Sequence, residues 1–352
     1  MAVMAILDVR EAIAWQAEHA EKADAPITGR VVRAERAVLD TPTELARRMN
    51  DWPGLVLEDA MPLRVAGGLH WLHLSGAEAR LAPVYAGEVT DQAAVDEIVA
   101  EVARSWDARL TPWLDHPPQT NEAGRSSSIM AGLLWLSQRL GSRFEMNEIG
   151  ASAGVNTMME RYRYDLGGVE AGPADSPMQL VPEWRGSPPP AGTVEIVAIR
   201  GCDVAPVDLS DAAEALRLKA YVWPDAQERM GRIEAAARLA AASPPLLERK
   251  DAGTFVEERL EAPQEPGVTR ALYHSVMWQY LPEATRRSIT TAMEQAGARA
   301  TREKPLAWVR LETNRETFRH ELSVRYWPGG EEAVTLSEAH PHGAWVIWHS
   351  PA

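Results

Sequence analysis

The sequence predicts an α/β fold in which a mostly parallel sheet carries helices on both faces, with a helical region ahead of it. Beyond residue 118, short apolar runs alternate with helical stretches, as in strands joined by crossover helices. Before that point the apolar periodicity is mainly helical. Apolar residues make up 45% of the 352 residues, enough to bury a sizeable core. We therefore expect a helical part at 1–118 and an α/β core at 119–352.

The N-terminal part is predicted to be a helical appendage. Its clearest helix follows Thr90-Asp91, a capping pair, and its apolar residues recur every fourth position: Ala94, Ile98, Val102 and Trp106. The stretch up to Asp24 has neither the basic start nor the apolar run of a signal peptide, so we expect none.

The second part is expected to alternate strands and helices. The predicted strands lie near 144–149, 194–201, 246–249, 270–274, 306–311, 321–326 and 344–348. The predicted helices lie near 124–140, 155–164, 225–242 and 283–295. Residues 167–192, rich in glycine and proline, are predicted to form an inserted loop.

Composition limits the partners. The net charge of -14 argues against a general nucleic-acid binder, which needs a surplus of cations facing the phosphates. No apolar run is long enough to span a bilayer. Cys202 is the single cysteine, which excludes an intramolecular disulfide and fits a reducing, cytoplasmic setting. We expect a small-molecule ligand, and the sequence leaves the oligomeric state open.

A strand running into a small-residue turn is the strongest local signal. Gly150 permits a tight turn, the small residues from Ala151 to Ala153 let a ligand approach the backbone, and the helix expected to follow would offer free N–H groups. Glu148 lies at the end of the strand, where an acid can accept a hydrogen bond from a ligand. Packing alone would also explain such a turn.

Further candidates follow other strands. Asp203 comes after the second predicted strand, where ribose-binding acids occur, although a turn-stabilising role is almost as good an explanation. His274, Ser275 and Trp278 follow the fourth strand, at the edge where open sheets bind ligands. Packing of Trp278 and Tyr280, with His274 as a hydrogen-bonded residue at the strand end, explains this segment equally well.

A third group of candidates would bind substrate or close over it. Residues at the joint between the two parts, between Asp203 and the next predicted helix, and near the last predicted strand make up this group: Gln119, Asn121, Glu122, Arg125, Arg217, Trp223, Asp225 and His342. Asp225 is also well placed to cap the helix that follows it. No metal site is predicted, because His340 and His342 flank a proline without an evident third ligand.

The same turn also matches the nucleophile elbow of a serine hydrolase, Gly150-x-Ser152-x-Gly154. An acid and a histidine follow it in the required order, Asp225 or Asp251 and then His274 or His342. No oxyanion loop of the His-Gly-Gly type precedes it. The hydrolase therefore stays a minor alternative.

Several of these blocks together resemble DUF2332, an uncharacterised bacterial family of domains of unknown function. The matching blocks span most of the chain: Gln119-Thr120-Asn121-Glu122, 148–154, Gly201-Cys202-Asp203, 221–225, His274-Ser275 and Pro341-His342-Gly343. The core also resembles the Rossmann-like methyltransferase fold, whose first motif is an acid, a glycine turn and a helix.

The second resemblance implies S-adenosylmethionine as cofactor. It assigns the methionine half to Glu148, Gly150, Ser152 and Gly154, with Asn156 beside them. It assigns the ribose to Asp203, the adenine edge to Asp251 and the reacting end to the segment from His274 to Trp278. The expected activity is methyl transfer to an unknown small or medium acceptor. The alternatives are a nucleotide-binding module without catalysis, the serine hydrolase, and a dehydrogenase, whose glycine spacing is incomplete.

Overall fold

The computed structural model describes residues 8–119 and 121–349. Thr120 of the predicted joint and the first seven residues lie outside the described residues. Within the part that is described, no helix is both long and apolar enough to cross a membrane.

The described chain divides into two compact units. Unit 1 comprises 8–119 together with Ala212–Glu234, and unit 2 comprises 121–211 together with 235–349. The first division falls close to the boundary expected at residue 118. Residues 212–234 were expected in the α/β core, but their contacts group them with the helical unit.

The α-helices, in chain order, are α1 (Val9–Lys22), α2 (Pro26–Val38), α3 (Glu44–Asn50), α4 (Met61–Leu74), α5 (Ala82–Tyr85), α6 (Gln92–Leu110), α7 (Ser126–Leu140), α8 (Ala212–Ala220), α9 (Gln227–Ala242), α10 (Ala252–Glu261) and α11 (Glu283–Gly297). The strands are β1 (Arg143–Ile149), β2 (Arg163–Leu166), β3 (Val169–Ala171), β4 (Gln179–Leu180), β5 (Glu183–Arg185), β6 (Glu195–Asp203), β7 (Leu247–Arg249), β8 (Thr269–Ser275), β9 (Leu306–Thr313), β10 (His320–Trp327), β11 (Gly330–Ala339) and β12 (Trp345–Trp348).

Unit 1 is helical, as its periodicity predicts. Asp91 begins α6 by accepting a hydrogen bond from the N–H of Ala94. The apolar faces of the helices meet in one core, in which Val32, Leu69 and Val99 are fully buried.

Asp225 caps a different helix from the one predicted. Its carboxylate accepts from the backbone N–H groups of Ile27 and Thr28, both at 2.9 Å, and from the Thr28 hydroxyl at 2.6 Å. These groups belong to the first turn of α2, which has no cap from its own preceding residue. The prediction that Asp225 caps the following helix, α9, is therefore wrong.

Unit 2 is built on a nine-stranded sheet in the order β5-β12-β11-β10-β9-β8-β1-β6-β7. The run β9-β8-β1-β6-β7 is parallel, and by chain order its strands stand 3-2-1-4-5 when counted from β7. The remaining pairs from β9 to β12 are antiparallel, and β5 joins β12 in parallel. The expected mixed α/β unit with a large, mostly parallel sheet is confirmed.

Helices cover both faces of this sheet. On one face, Leu272 and Trp308 pack in a core with Phe255 of α10 and Met293 of α11. On the other face, α7 packs on β9 and β10, and Gly132 brings its backbone close to Leu322 there. We call these the α10 face and the α7 face. Successive residues of a strand alternate between them.

Two predicted elements after the glycine turn are wrong. Instead of a helix at 155–164 there is a short 3-10 helix, Asn156–Arg161, followed by strand β2. In β2 the buried Tyr164 and Leu166 alternate with partly exposed residues, the period of a strand. The predicted loop at 167–192 contains β3, β4 and β5, of which β3 and β4 pair with β2 in a small second sheet.

Candidate functional site

The candidate site lies at the carboxyl-end edge of the parallel strands in unit 2. The strand order reverses between β1 and β8. Ligands of open α/β sheets bind outside the carboxyl ends of the strands at such a switch point. Glu148 near the end of β1 and Ser275 at the end of β8 lie at this edge.

Glu148 is a buried carboxyl group with its own donors. Its side chain is on the α7 face, and Oε2 accepts from the Thr157 hydroxyl at 2.5 Å and from the Tyr273 hydroxyl at 3.1 Å. Burial raises the pKa of Glu148 to about 7, against the lowering effect of these two hydroxyls, and the charge of Asp203 raises it further. A carboxyl with a pKa near neutrality can both bind a ligand and exchange a proton.

Several backbone N–H groups of the turn are already used by the protein. Ser152 donates to the Asp203 carboxylate at 2.9 Å, and Val155 donates to the side-chain oxygen of Asn121 at 2.8 Å. Gly154 donates to the carbonyl of Ala151 at 2.8 Å. The cradle of free N–H groups at a helix N-terminus, expected from the sequence, is therefore not formed, because no α-helix follows and these three donors have partners.

Two side chains of the turn do lack partners. Among the described residues, nothing accepts from or donates to the amide atoms of Asn156, which is fully buried, or the hydroxyl of Ser152. The backbone oxygen of Asn156 accepts from the Tyr273 hydroxyl at 3.1 Å, the same hydroxyl that contacts Glu148. A buried amide without partners is costly, and such groups mark places where a ligand or water binds.

The two acids at the following strand ends both have backbone partners. Asp203 accepts from the N–H groups of Ser152 and Ala205, each at 2.9 Å, so it stabilises the turn. Asp251 is the N-cap of α10 and accepts from Gly253 and Thr254. Each carboxylate has further lone pairs with which to accept from a ligand.

His274 lies on the other face of the sheet from Glu148. Its Nδ1 is 2.6 Å from Glu312 Oε1, and its Nε2 is 3.1 Å from the indole nitrogen of Trp308. Because an indole N–H only donates, Nε2 accepts and Nδ1 carries the proton. His274 is fully buried and Trp278 stacks on it, with ring centroids 5.0 Å apart. Both ring nitrogens are thus committed to the protein.

The predicted lid residues of unit 2 lie around the start of α7. Asn121 contacts the glycine turn, as described above. Glu122 accepts from the N–H of Gly124, and the Arg125 Nε–H donates to the carbonyl of Pro341 at 2.9 Å. The backbone of Gly343, beside His342, packs directly on Gly124. The structure thereby brings two blocks 216 residues apart in the chain into one cluster.

Four predicted residues belong to unit 1. Gln119 is half-buried, and Asp225 caps α2. The Arg217 guanidinium lies 4.6 Å from the ring centroid of Trp113, and Trp223 packs edge-on against His19 at 6.5 Å. Each of these contacts stabilises unit 1.

The sequence reasoning gave no correct individual role to four residues around the site. Tyr273 and Thr157 bind Glu148, Glu312 binds His274, and Met277 packs against Gly150. The signal for Tyr273 was its fully buried strand, since a buried tyrosine hydroxyl needs a partner. Within 8–119 and 121–349, no three His, Cys, Asp or Glu side chains form a group that could hold a metal ion.

Comparison with known proteins gives one match. Residues 10–348 match the family model described as an uncharacterized protein conserved in bacteria, DUF2332. Searches of curated proteins and of solved structures find no match. Because the family model covers nearly the whole chain, the protein belongs to the DUF2332 family.

Proposed function

We propose that unit 2 is an S-adenosylmethionine-dependent methyltransferase that acts on a small or medium acceptor. The observation that carries the proposal is the unpartnered, fully buried side-chain amide of Asn156, a residue whose backbone oxygen shares the Tyr273 hydroxyl with Glu148. The strand order 3-2-1-4-5 and the acids near the ends of β1 and β6 support it further.

The residues present fit an adenosyl ligand through their side chains rather than through the turn's N–H groups. The Asn156 amide offers two donors and an acceptor, and the Ser152 hydroxyl offers one donor. Glu148 would hold the amino group of the methionine half, and Asp203, which is partly exposed, would accept from ribose hydroxyls.

When bound, this cofactor would supply a methyl group on a positively charged sulfur. The acceptor would bond to the methyl carbon, and the sulfur would leave as the neutral thioether of S-adenosylhomocysteine. The protein's contribution is to hold donor and acceptor at attack distance and to exclude water. His274 is not placed to act as the base, because both of its ring nitrogens have protein partners.

Calorimetric titration with S-adenosylmethionine and S-adenosylhomocysteine, with NAD as a control ligand, tests the binding step. We expect saturable binding of both adenosyl ligands, weakened at least tenfold by Asn156→Ala and by Glu148→Gln. Glu228→Gln, at a side chain that is 94% exposed, is the matched control and should leave the affinity unchanged. No heat from either adenosyl ligand, in the wild type and in Met277→Ala alike, would remove the proposal.

A non-catalytic nucleotide-binding protein is the second candidate. It is favoured by the Met277 side chain packed on Gly150 and by the missing helix after the turn. Transfer of isotope-labelled methyl from the donor into metabolites of a cell extract separates the two candidates. Binding with persistent absence of labelled product would support the non-catalytic form.

A further inference from the structure

The turn that follows β8 is held in a strained backbone conformation. Val276 has a φ of 52°, in the left-handed region, and its N–H donates to the carbonyl of Leu311 at 2.9 Å. A β-branched residue is a genuine outlier there, because its Cβ crowds the backbone. Such conformations persist only where surrounding contacts impose them, and they cluster at functional sites.

Glu312 supplies the contacts that impose it. A single carboxylate oxygen, Oε1, accepts from His274 Nδ1 at 2.6 Å, from the Met277 N–H at 3.1 Å and from the Trp278 N–H at 3.2 Å. Hydrogen bonds to an ionised acceptor are roughly twice as strong as neutral ones. The 276–278 turn is therefore fixed to the end of β9.

The fixed turn places Met277 over the glycine of the candidate site. The space that a Cβ on Gly150 would occupy is filled by Met277, whose Cε, Cγ and Cβ lie 2.7, 2.8 and 3.0 Å from that point. Gly150 itself has a φ of 66°. The close approach to this backbone that a ligand would need is thus taken by a side chain of the protein.

We infer that Glu312 is a positioning residue that holds the 276–278 turn closed, with Met277 over Gly150, as a latch. In this inference an adenosyl ligand binds only the open state, in which the turn is released. The inference rests on the proposed function for the identity of the ligand. Release lets Val276 leave the left-handed region, so the strain favours the open state while the Glu312 hydrogen bonds favour the closed one.

Three variants are expected to change ligand affinity in two opposite directions. The apparent affinity is the intrinsic affinity multiplied by the open fraction. Val276→Gly removes the strain of the closed turn, so S-adenosylhomocysteine should bind roughly five- to thirtyfold more weakly. Glu312→Gln weakens the latch and Met277→Ala uncovers Gly150, so both should bind the same ligand more tightly.

Amide hydrogen exchange supplies a readout that needs no ligand. Exchange at Met277 and Trp278 should become slower in Val276→Gly and faster in Glu312→Gln, because these amides are protected by the closed turn. Glu316→Gln, at an exposed position in the loop after β9, is the control and should change neither exchange nor affinity. A merely structural role for Glu312 predicts faster exchange without tighter binding.

The outcomes separate the latch from the proposed function. Opposite shifts in affinity that follow the exchange rates would support the latch. Binding that is unchanged by Val276→Gly, or weakened by Glu312→Gln, would overturn the latch and leave the methyltransferase proposal intact. Absence of binding in the wild type and in Met277→Ala alike would overturn both.

Discussion

The Tyr273 hydroxyl lies 3.1 Å from the Glu148 carboxylate, and the two residues are register partners on β8 and β1. The contact is buried at the point where the strand order reverses. A buried acid in such a place responds to pH, and this response can be measured.

The first prediction is that Glu148 makes the protein less stable as pH rises. Burial raises its folded-state pKa from 4.5 to about 7, so the folded state binds the proton more tightly than the unfolded state. The stabilisation is fully present below pH 4.5 and is lost as pH rises through about 7, by at most about 3 kcal/mol. Urea unfolding at pH 5 and pH 8 should show this loss in the wild type and not in Glu148→Gln. An equal loss in both proteins would contradict it.

His70 should have the opposite dependence. Burial lowers its pKa to about 4, so the unfolded state takes up a proton before the folded state does. The stability of unit 1 should therefore fall as pH drops from 6.5 towards 4, by up to about 3 kcal/mol. His70→Gln should reduce this loss of stability at low pH, whereas substitution of the exposed His116 should not. Nuclear magnetic resonance titration of His70 checks the cause directly.

Asp225 should matter to stability through α2. Asp225→Ala removes three hydrogen bonds to the first turn of that helix, and loss of a cap costs about 1–2 kcal/mol. Asp175→Ala, at an exposed position, is the control and should stay within about 0.5 kcal/mol of the wild type. Chemical denaturation measures both. Equal denaturation midpoints for the wild type and Asp225→Ala would show that the cap on α2 does not contribute to stability.

Two glycines should respond in opposite senses to alanine. A Cβ at Gly201 would lie 2.7 Å from Ala151 Cβ and 2.9 Å from Thr157 Oγ1, so Gly201→Ala should destabilise the protein by about 1–3 kcal/mol. Gly231 lies inside α9 with open space around it, so Gly231→Ala should stabilise by about 0.5–1 kcal/mol. Thermal unfolding of the two variants gives the comparison. A stabilised Gly201→Ala would mean that the glycine turn and β6 are not closely packed.

Ser152 should not behave as a hydrolase nucleophile. Its hydroxyl has no hydrogen bond to a described histidine, His274 is committed to Glu312 and Trp308, and Asp251 and Asp225 cap helices. We expect a fluorophosphonate probe to leave Ser152 unlabelled in the folded protein. Stoichiometric labelling of the wild type that is lost in Ser152→Ala would instead support the serine hydrolase alternative.

Much of the parallel sheet could be predicted because its central strands β1, β8 and β9 are largely buried. Every residue of β8 is buried, and such runs stand out in the sequence. The strand β11 was missed because its first half is largely exposed and lacks an apolar run. The prediction of a helix at 155–164 was wrong because the chain enters a strand there. Apolar residues at alternate positions, Tyr162, Tyr164 and Leu166, are the pattern of a strand, and the prediction did not take this pattern into account.

Local sequence could predict a site residue only where the position of that residue at the end of its own strand brings it to the site. Glu148 could be placed at the strand end from local sequence alone. Glu312 could not, because its donors lie more than 30 residues earlier in the chain and meet it only through the register of β8 and β9. The cap that Asp225 gives to α2 joins residues 198 positions apart, and no local pattern reports such a pairing.

Each unit is made of two separate segments of the chain that alternate with those of the other unit, so neither unit is fully synthesised before part of the other. Helix α2 emerges early, yet Asp225, which caps it, is synthesised only after β1 and β6 of the other unit. A nascent chain that stops at residue 119 therefore has the first six helices but lacks an element of its own unit. Cleavage of the chain at a single position therefore cannot separate either unit intact. Expression of unit 1 alone requires a gene that joins residues 212–234 to the N-terminal segment.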